Sequence, residues 1–290
     1  MQNIRINLYD DWIKLLRGEL NKSGYKDKPY GDKEVSQIYL NRQKRLISQK
    51  PRKILKPLTF QCPDEVKEGL RILENAISKG QDLTPHLSEK IRSPKYNDYL
   101  LNDWGIHHLH LGTTIRPNGF IEREGPLLFC RFDESTAYLI SIQPHGSWVE
   151  QDMIRVLHEN WPESIAQFRV NGIVGLTKSI SDQDVKTLRD KNANTLVEIE
   201  DGTVYGPIGG GYASSGISIE VVIQADQYEI WLNETQEYII NNIDTIKNDM
   251  RRKSINLPSG LSFRLKVVDN KIYAVEDTTS LSIDLRLEHY

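Results

Sequence analysis

The sequence predicts an α+β fold: a basic helical N-terminal region followed by mainly antiparallel sheet units with interspersed helices. Three observations carry that expectation. Apolar residues recur at helical spacing through the first hundred residues. The period changes to alternation from residue 105 onward. No strand-helix-strand rhythm suggests a doubly wound parallel sheet. A chain of 290 residues has room for two compact domains or one with a large appendage. The expected divisions are a basic helical region over 1–100, a central strand-hairpin-helix unit over 101–180 and an acidic α+β unit over 181–290.

Each element has its own signal. In "IRINLYDDWIKLLRGELN" the residues Leu8, Trp12, Leu15, Leu16 and Leu20 stand three or four apart, as on a helix with one buried face. "GDKEVSQIYLNRQKRLISQ" repeats the pattern, and Pro51 and Pro57 close it. "CPDEVKEGLRILENAISKG" starts with Pro63 and acidic residues and stops at Gly80. "EGPLLFCRFDESTAYLISIQPHG" reads as a hairpin turning at Asp133, Glu134 and Ser135, and "VEQDMIRVLHENWPE" as a helix ended by Pro162. "TLVEIEDGTVYG" and "LSFRLKVVDNKIYAVE" place Asp201-Gly202 and Asp269-Asn270 between short strands, with the helical "WLNETQEYIINNIDTIKNDMRRK" between them. The stretch "YGPIGGGYASSG" at 205–216 lacks the Lys-Ser/Thr of a Walker loop. The "ISIEVVIQ" after it reads as a strand where a dinucleotide fingerprint needs a helix. It is expected to be a flexible connection, long enough to cover a site as a lid.

Composition narrows the classes. Hydrophobic residues make up 38% and charged residues 27% of the chain, and no segment approaches a membrane span. The first residues lack a signal peptide's charged start and apolar run, so the cytoplasm is the expected location, with no membrane partner. Cys62 and Cys130 are far apart without CxxC spacing, against a disulfide framework or a zinc ribbon; Cys130 in "PLLFCRF" is expected to be a buried hydrophobe. The net charge of −3 conceals an asymmetry, because residues 1–60 hold 14 Lys and Arg against 6 Asp and Glu. There Arg42, Lys44, Arg45, Lys50, Arg52, Lys53 and Lys56 form a candidate nucleic-acid-binding arm that would neutralise phosphates. The alternatives are a solvated helix face with a linker, or an arm docked on the acidic C-terminal part.

The most chemically pointed stretch is "GIHHLHLG". Alternation along a strand puts His108 and His110 on one face and His107, Leu109 and Leu111 on the other. The leucines mark the core side, so His107 is expected to be packed inward while His108 and His110 are presented together. His145 ends the next long strand beside Gly146. Three imidazoles could bind zinc or another divalent ion with an open position, but Thr114 and Ile115 stand where a cupin would need Glu. They could equally move protons without a metal. His158 is expected to pack on a helix face and His86 in "DLTPHLSEK" to lie just inside a helix start, both outside the site.

The run "LLFCRFDESTAYLISIQPHG" resembles the last two strands of the RelE and YoeB group of toxin ribonucleases, with an apolar strand, an acidic turn, a second apolar strand and a terminal His. The resemblance spans about residues 101–148. It implies RNA cleavage by the ribose 2'-hydroxyl, with His145 as general acid, His108 and His110 as base and phosphate-binding groups, and Arg131 supporting the phosphate. The sequence departs from that group in its length and in its acidic character beyond residue 60. The first expectation is therefore a metal-independent endoribonuclease of toxin or phage-defence type, with RNA as partner and no cofactor. The second is a metal-dependent hydrolase or oxygenase acting on a small molecule, with zinc or another divalent ion on His108, His110 and His145. The third is a non-enzymatic component that binds nucleic acid or a partner protein through its basic arm.

Overall fold

The computed structural model describes residues 4–288 apart from 26–29, 124 and 174. Its elements in chain order are β1 (Ile4–Ile6), α1 (Leu8–Lys22), α2 (Asp32–Arg45), β2 (Lys53–Leu55), α3 (Lys67–Lys79), α4 (Tyr99–Trp104), β3 (His107–His110), β4 (Leu127–Phe132), β5 (Thr136–Gln143), α5 (Asp152–Asn160), α6 (Asp182–Asp190), β6 (Val197–Glu198), β7 (Val204–Tyr205), α7 (Ile219–Asn241), α8 (Ile243–Arg252), β8 (Leu261–Val268), β9 (Lys271–Glu276) and β10 (Ser282–Glu288). This is an α+β protein. Among the described residues no helix is long and apolar enough to cross a membrane.

The divisions differ from those expected. One compact unit is residues 44–220, and the other joins 1–43 to 221–290. In the second unit a sheet of order β1-β8-β9-β10 pairs β1 in parallel with β8. Most of the helical face read in the sequence is buried there: Leu8, Trp12, Leu16 and Leu20 are in the core with Ile13, while Leu15 is half-buried. Trp12 stacks on Tyr228 with ring centroids 4.8 Å apart and meets Tyr39 edge-on at 6.5 Å. Asp269 and Asn270 form the β8–β9 turn with φ of 48° and 61°, the left-handed conformation that a tight hairpin turn asks of both central residues.

In the 44–220 unit the sheet order is β2-β5-β4-β3, with β2 parallel to β5 and the remaining pairs antiparallel. The two faces carry two cores. Leu109, Leu111, Leu128, Cys130 and Leu139 pack on one side against Leu70, Leu73 and Ile77 of α3. Phe129 and Ile140 pack on the other with Trp104, Leu157, Val185 and Tyr205. The Asp133 turn closes the β4–β5 hairpin, its carboxylate accepting from the Ser135 and Thr136 amides and the Tyr138 hydroxyl. The face opposite the leucines is thus no solvated sheet face; it lies under α4, α5 and α6.

Three expectations were displaced. β1 and β2 lie in stretches read as helix or linker, because strands of three residues owe their form to the partner strand and leave little periodic signal. "ISIEVVIQ" is not a strand: helix α7 begins at Ile219, tertiary context overriding its β-branched residues. The Gly-rich stretch before it is tied down by hydrogen bonds, as described below.

Gly69 fixes how closely α3 approaches the sheet. A Cβ there would lie 1.6 Å from the Leu111 carbonyl oxygen, so the helix rests directly on backbone. Gly69→Ala is expected to destabilise the protein by at least about 1–3 kcal/mol in urea denaturation, because it forces α3 off the sheet. Gly18→Ala in α1 meets nothing within 4 Å and should stabilise by about 0.5–1 kcal/mol. Equal effects of the two substitutions would contradict this packing.

Candidate functional site

The sheet register delivers the histidines as the alternation requires. His107 pairs with Cys130 and His108 with Phe129, so successive imidazoles fall on the two different cores. His107 meets Phe132 edge-on at 5.6 Å on the α3 side, and neither of its ring nitrogens has a hydrogen-bond partner among the described residues. Burial pushes its pKa down to about 4. His108 and His110 turn to the other side and, with His145, line one cavity of about 760 Å3 in the 44–220 unit.

Contacts within this cavity form a chain. Arg123 Nε donates to His110 Nε2 at 3.3 Å, which leaves the ring proton on Nδ1. The His110 and His145 rings lie 5.7 Å apart, and His145 lies 6.0 Å from Trp148. Trp148 meets His108 at 4.6 Å, and its carbonyl accepts from Arg189 Nη1. Asp98 stands beside His108, its Oδ2 3.8 Å from Nδ1, while Oδ1 accepts from Leu101 N and so caps α4. One carboxylate thereby caps the helix start by a hydrogen bond and lies beside the imidazole as a charge, since 3.8 Å is beyond hydrogen-bond reach and His108 Nδ1 has no hydrogen-bond partner among the described residues.

Electrostatics keep these rings neutral. Burial, then the nearby Arg123, pushes His110 down to about 3. Burial also lowers His108, with Asp98 acting in the opposite direction. His86 anchors the strand from below, its Nδ1–H donating to the His110 carbonyl at 2.8 Å. His145, by contrast, is exposed at the rim. The cavity wall carries Lys90, Lys95, Arg123, Lys186 and Arg189 against Asp98 and Asp190; behind the wall Asp103 pairs with Arg189 and Glu89 lies 3.8 Å from Arg123, so a small cationic surplus remains to favour anionic ligands.

Arg189 organises the far wall. Its Nε pairs with Asp103 at 2.8 Å, and its guanidinium lies 4.1 Å over the Trp104 ring. Arg189 and Asp103 are 4% and 0% exposed, a pair held out of water. The same α4 segment receives the Gly-rich stretch: Gly209 N donates to the Asp103 carbonyl and Gly211 N to the Asn102 carbonyl, each at 2.8 Å. A Cβ on Gly209 would fall 2.1 Å from the Leu101 carbonyl oxygen, so this approach needs glycine. Residues 205–216 are therefore a buttress behind α4. They do not line the cavity, and the expectation of a flexible connection or lid is corrected.

Two other candidate sets lie elsewhere. Arg131 is outside the cavity, its guanidinium over Phe168 and its Nη2 donating to the Ser164 carbonyl at 3.5 Å. The basic arm is largely consumed within the fold. Arg45 donates to the Lys90 carbonyl and lies over Tyr96; Arg52 donates to the Asp133 and Ser48 carbonyls; Lys44, Lys50 and Lys56 pair with Glu220, Glu134 and Glu74. Lys53 remains exposed and Arg42 half-buried. Pairing of β2 with β5 draws the arm onto the β4–β5 hairpin instead of leaving it a free basic stripe. The cationic residues that do face the cavity, Arg123 above all, gave no sequence signal, since only the loop's path brings Arg123 to His110.

Among the described residues no group of three or more His, Cys, Asp or Glu side chains is arranged to hold a metal ion. The His110 lone pair at Nε2 is already taken by Arg123. Comparisons with protein-family models, with curated proteins and with solved structures found no match.

The depressed histidines have a stability signature. Unfolded imidazoles titrate near 6.5, whereas His107 and His110 in the fold stay neutral down to about 4 and about 3. Below pH 6.5 the unfolded chain takes up protons that the fold refuses. Stability is full above that pH and falls as pH drops towards 4. His107→Leu should reduce the slope of unfolding free energy between pH 4 and 6.5, by up to about 1.4 kcal/mol per pH unit in the middle of that window. An unchanged slope would place the His107 ring in contact with water.

Proposed function

We propose that the 44–220 unit is a metal-independent endoribonuclease acting at the histidine cavity. The observation that carries this reading is the convergence of His108, His110, His145 and a surplus of cations on one cavity beside a half-buried Trp. Neutral His108, with the Asp98 carboxylate beside it to stabilise the imidazolium that forms, is the general base that takes the ribose 2'-hydroxyl proton. The released alkoxide attacks phosphorus, and the bond from phosphorus to the 5'-oxygen breaks. Exposed His145 donates a proton to that leaving oxygen. Arg123 and Lys90 offset charge gathering on the phosphoryl oxygens, with His110 Nδ1–H as a further donor. The products are a 2',3'-cyclic phosphate and a 5'-hydroxyl. No metal enters this sequence, because the same cations that attract a phosphate repel a divalent ion.

A role in toxicity or phage defence follows from the resemblance to the RelE and YoeB group and stands with this proposal, and a cytoplasmic location and a partner protein are proposed beside it. Phosphate affinity is assigned to the cavity rather than to the arm at 42–56, most of whose charges already have protein partners.

The test is cleavage of single-stranded RNA in chelator by the protein and its His145→Ala variant. The variant should lose at least about a hundredfold in rate, the lower range for a positioned acid. It should melt within about 0.5 kcal/mol of the parent, because His145 is exposed. Undiminished cleavage by a folded His145→Ala protein would refute the assignment.

A further inference from the structure

The cavity is chemically polarised, and its two ends suit different parts of one ligand. Beside His110 stand Arg123 and Lys90, both close enough to act electrostatically on His108; Arg123 shares the carboxylate of Glu89, 3.8 Å away, with Arg116, so its charge is only partly offset. At the other end α6 contributes Lys186, Arg189 and Asp190. The charge there is balanced. Arg189 is neutralised by the buried Asp103, and Lys186 faces Asp190 across a single helical turn. A second phosphate would gain little at such an end, whereas a neutral heterocycle with donors and acceptors on its edge would gain specificity.

We propose that this end is a nucleobase subsite selective for guanine. The inference rests on the phosphodiester reading above, which places a ribose phosphate at the histidines. Trp148 joins the two ends: its ring lies against His108 and His145, its carbonyl is fixed by Arg189, and its half-buried face lines the cavity as a stacking surface. Asp190 is exposed, and its carboxylate offers two adjacent acceptors. Of the four bases only guanine presents two adjacent donors, N1–H and the exocyclic amine, to such a pair. Guanine also presents the acceptors O6 and N7. Lys186 supplies a mobile donor for these. Arg189 Nη2 is a second donor, held in the wall with no acceptor of its own among the described residues. Uracil presents a single donor, N3–H, between two acceptors, and cytosine and adenine each present one exocyclic amine beside a ring-nitrogen acceptor, so none of them offers a carboxylate two adjacent donors.

The experiment is calorimetric titration of the four nucleoside 3'-monophosphates, which carry a base and one phosphate and undergo no cleavage. Guanosine 3'-monophosphate should bind about tenfold or more tightly than the other three, the discrimination expected of one two-pronged base contact. Asp190→Asn replaces one acceptor with a donor. It should bring all four to within about threefold of one another, less than half the logarithmic span of a tenfold preference. Lys186→Ala should reduce the preference without reversing it. Both positions are exposed, and melting curves verify that the variants are folded. Equal affinities in the parent, or a guanine preference that survives Asp190→Asn, would overturn the subsite. RNA cleaved after all four bases alike would overturn it too, while leaving the ribonuclease reading intact. Guanine-selective binding without cleavage of any RNA would uphold the subsite and count against the ribonuclease. Failure of every nucleotide to bind would overturn both.

Discussion

Arg189 is the interaction on which the cavity depends. A guanidinium taken out of water must be paid for, and here Asp103, the Trp104 face and the Trp148 carbonyl meet it on three sides. These partners belong to α4 and to the loop after β5, so one side chain of α6 ties together the segments that make the far wall. The Gly-rich stretch completes the tie from behind through the carbonyls of Asn102 and Asp103. A fork of donors in fixed geometry suits this role better than a lysine would, because each partner needs its own N–H.

The β3 strand is the second constraint. Leu109 and His110 are buried and His107 and His108 half-buried, and the alternation turns His107 to the side of the α3 core and His108 and His110 to the cavity. The cost of enclosing imidazoles appears as their lowered basicity, which favours the unprotonated form of His108. Cys130, on the same sheet, is pushed the other way by burial; its thiol stays protonated and inert.

Much of this fold was legible in local patterns. The α1 face, the start of α3 and its Gly80 stop, the turns at Asp133, Asp201 and Asp269, and the division of the histidines between strand faces all follow from periodicity and turn chemistry. Features that depend on distant partners were not legible. β2 exists because β5 lies beside it, α7 begins in a β-branched run, and the N-terminal helices share a unit with residues 221–290. The site divides in the same way. His108, His110 and His145 announced themselves by spacing. Arg123, Asp98, Trp148 and Arg189 are scattered over loops and helix ends, where residue type alone carries no signal. The basic arm misled for the converse reason: charge density was visible, but the internal carbonyls and carboxylates that absorb it were not.

The central claim is that imidazoles, without a metal, break a phosphodiester bond through the neighbouring 2'-hydroxyl. End-group analysis of RNA incubated with the protein in excess chelator tests this most directly. The expected fragments carry 2',3'-cyclic phosphates and 5'-hydroxyls, and a substrate with 2'-deoxyribose at the cleaved position remains intact. Fragments with 3'-hydroxyl and 5'-phosphate ends, or cleavage that stops when divalent ions are removed, would contradict it.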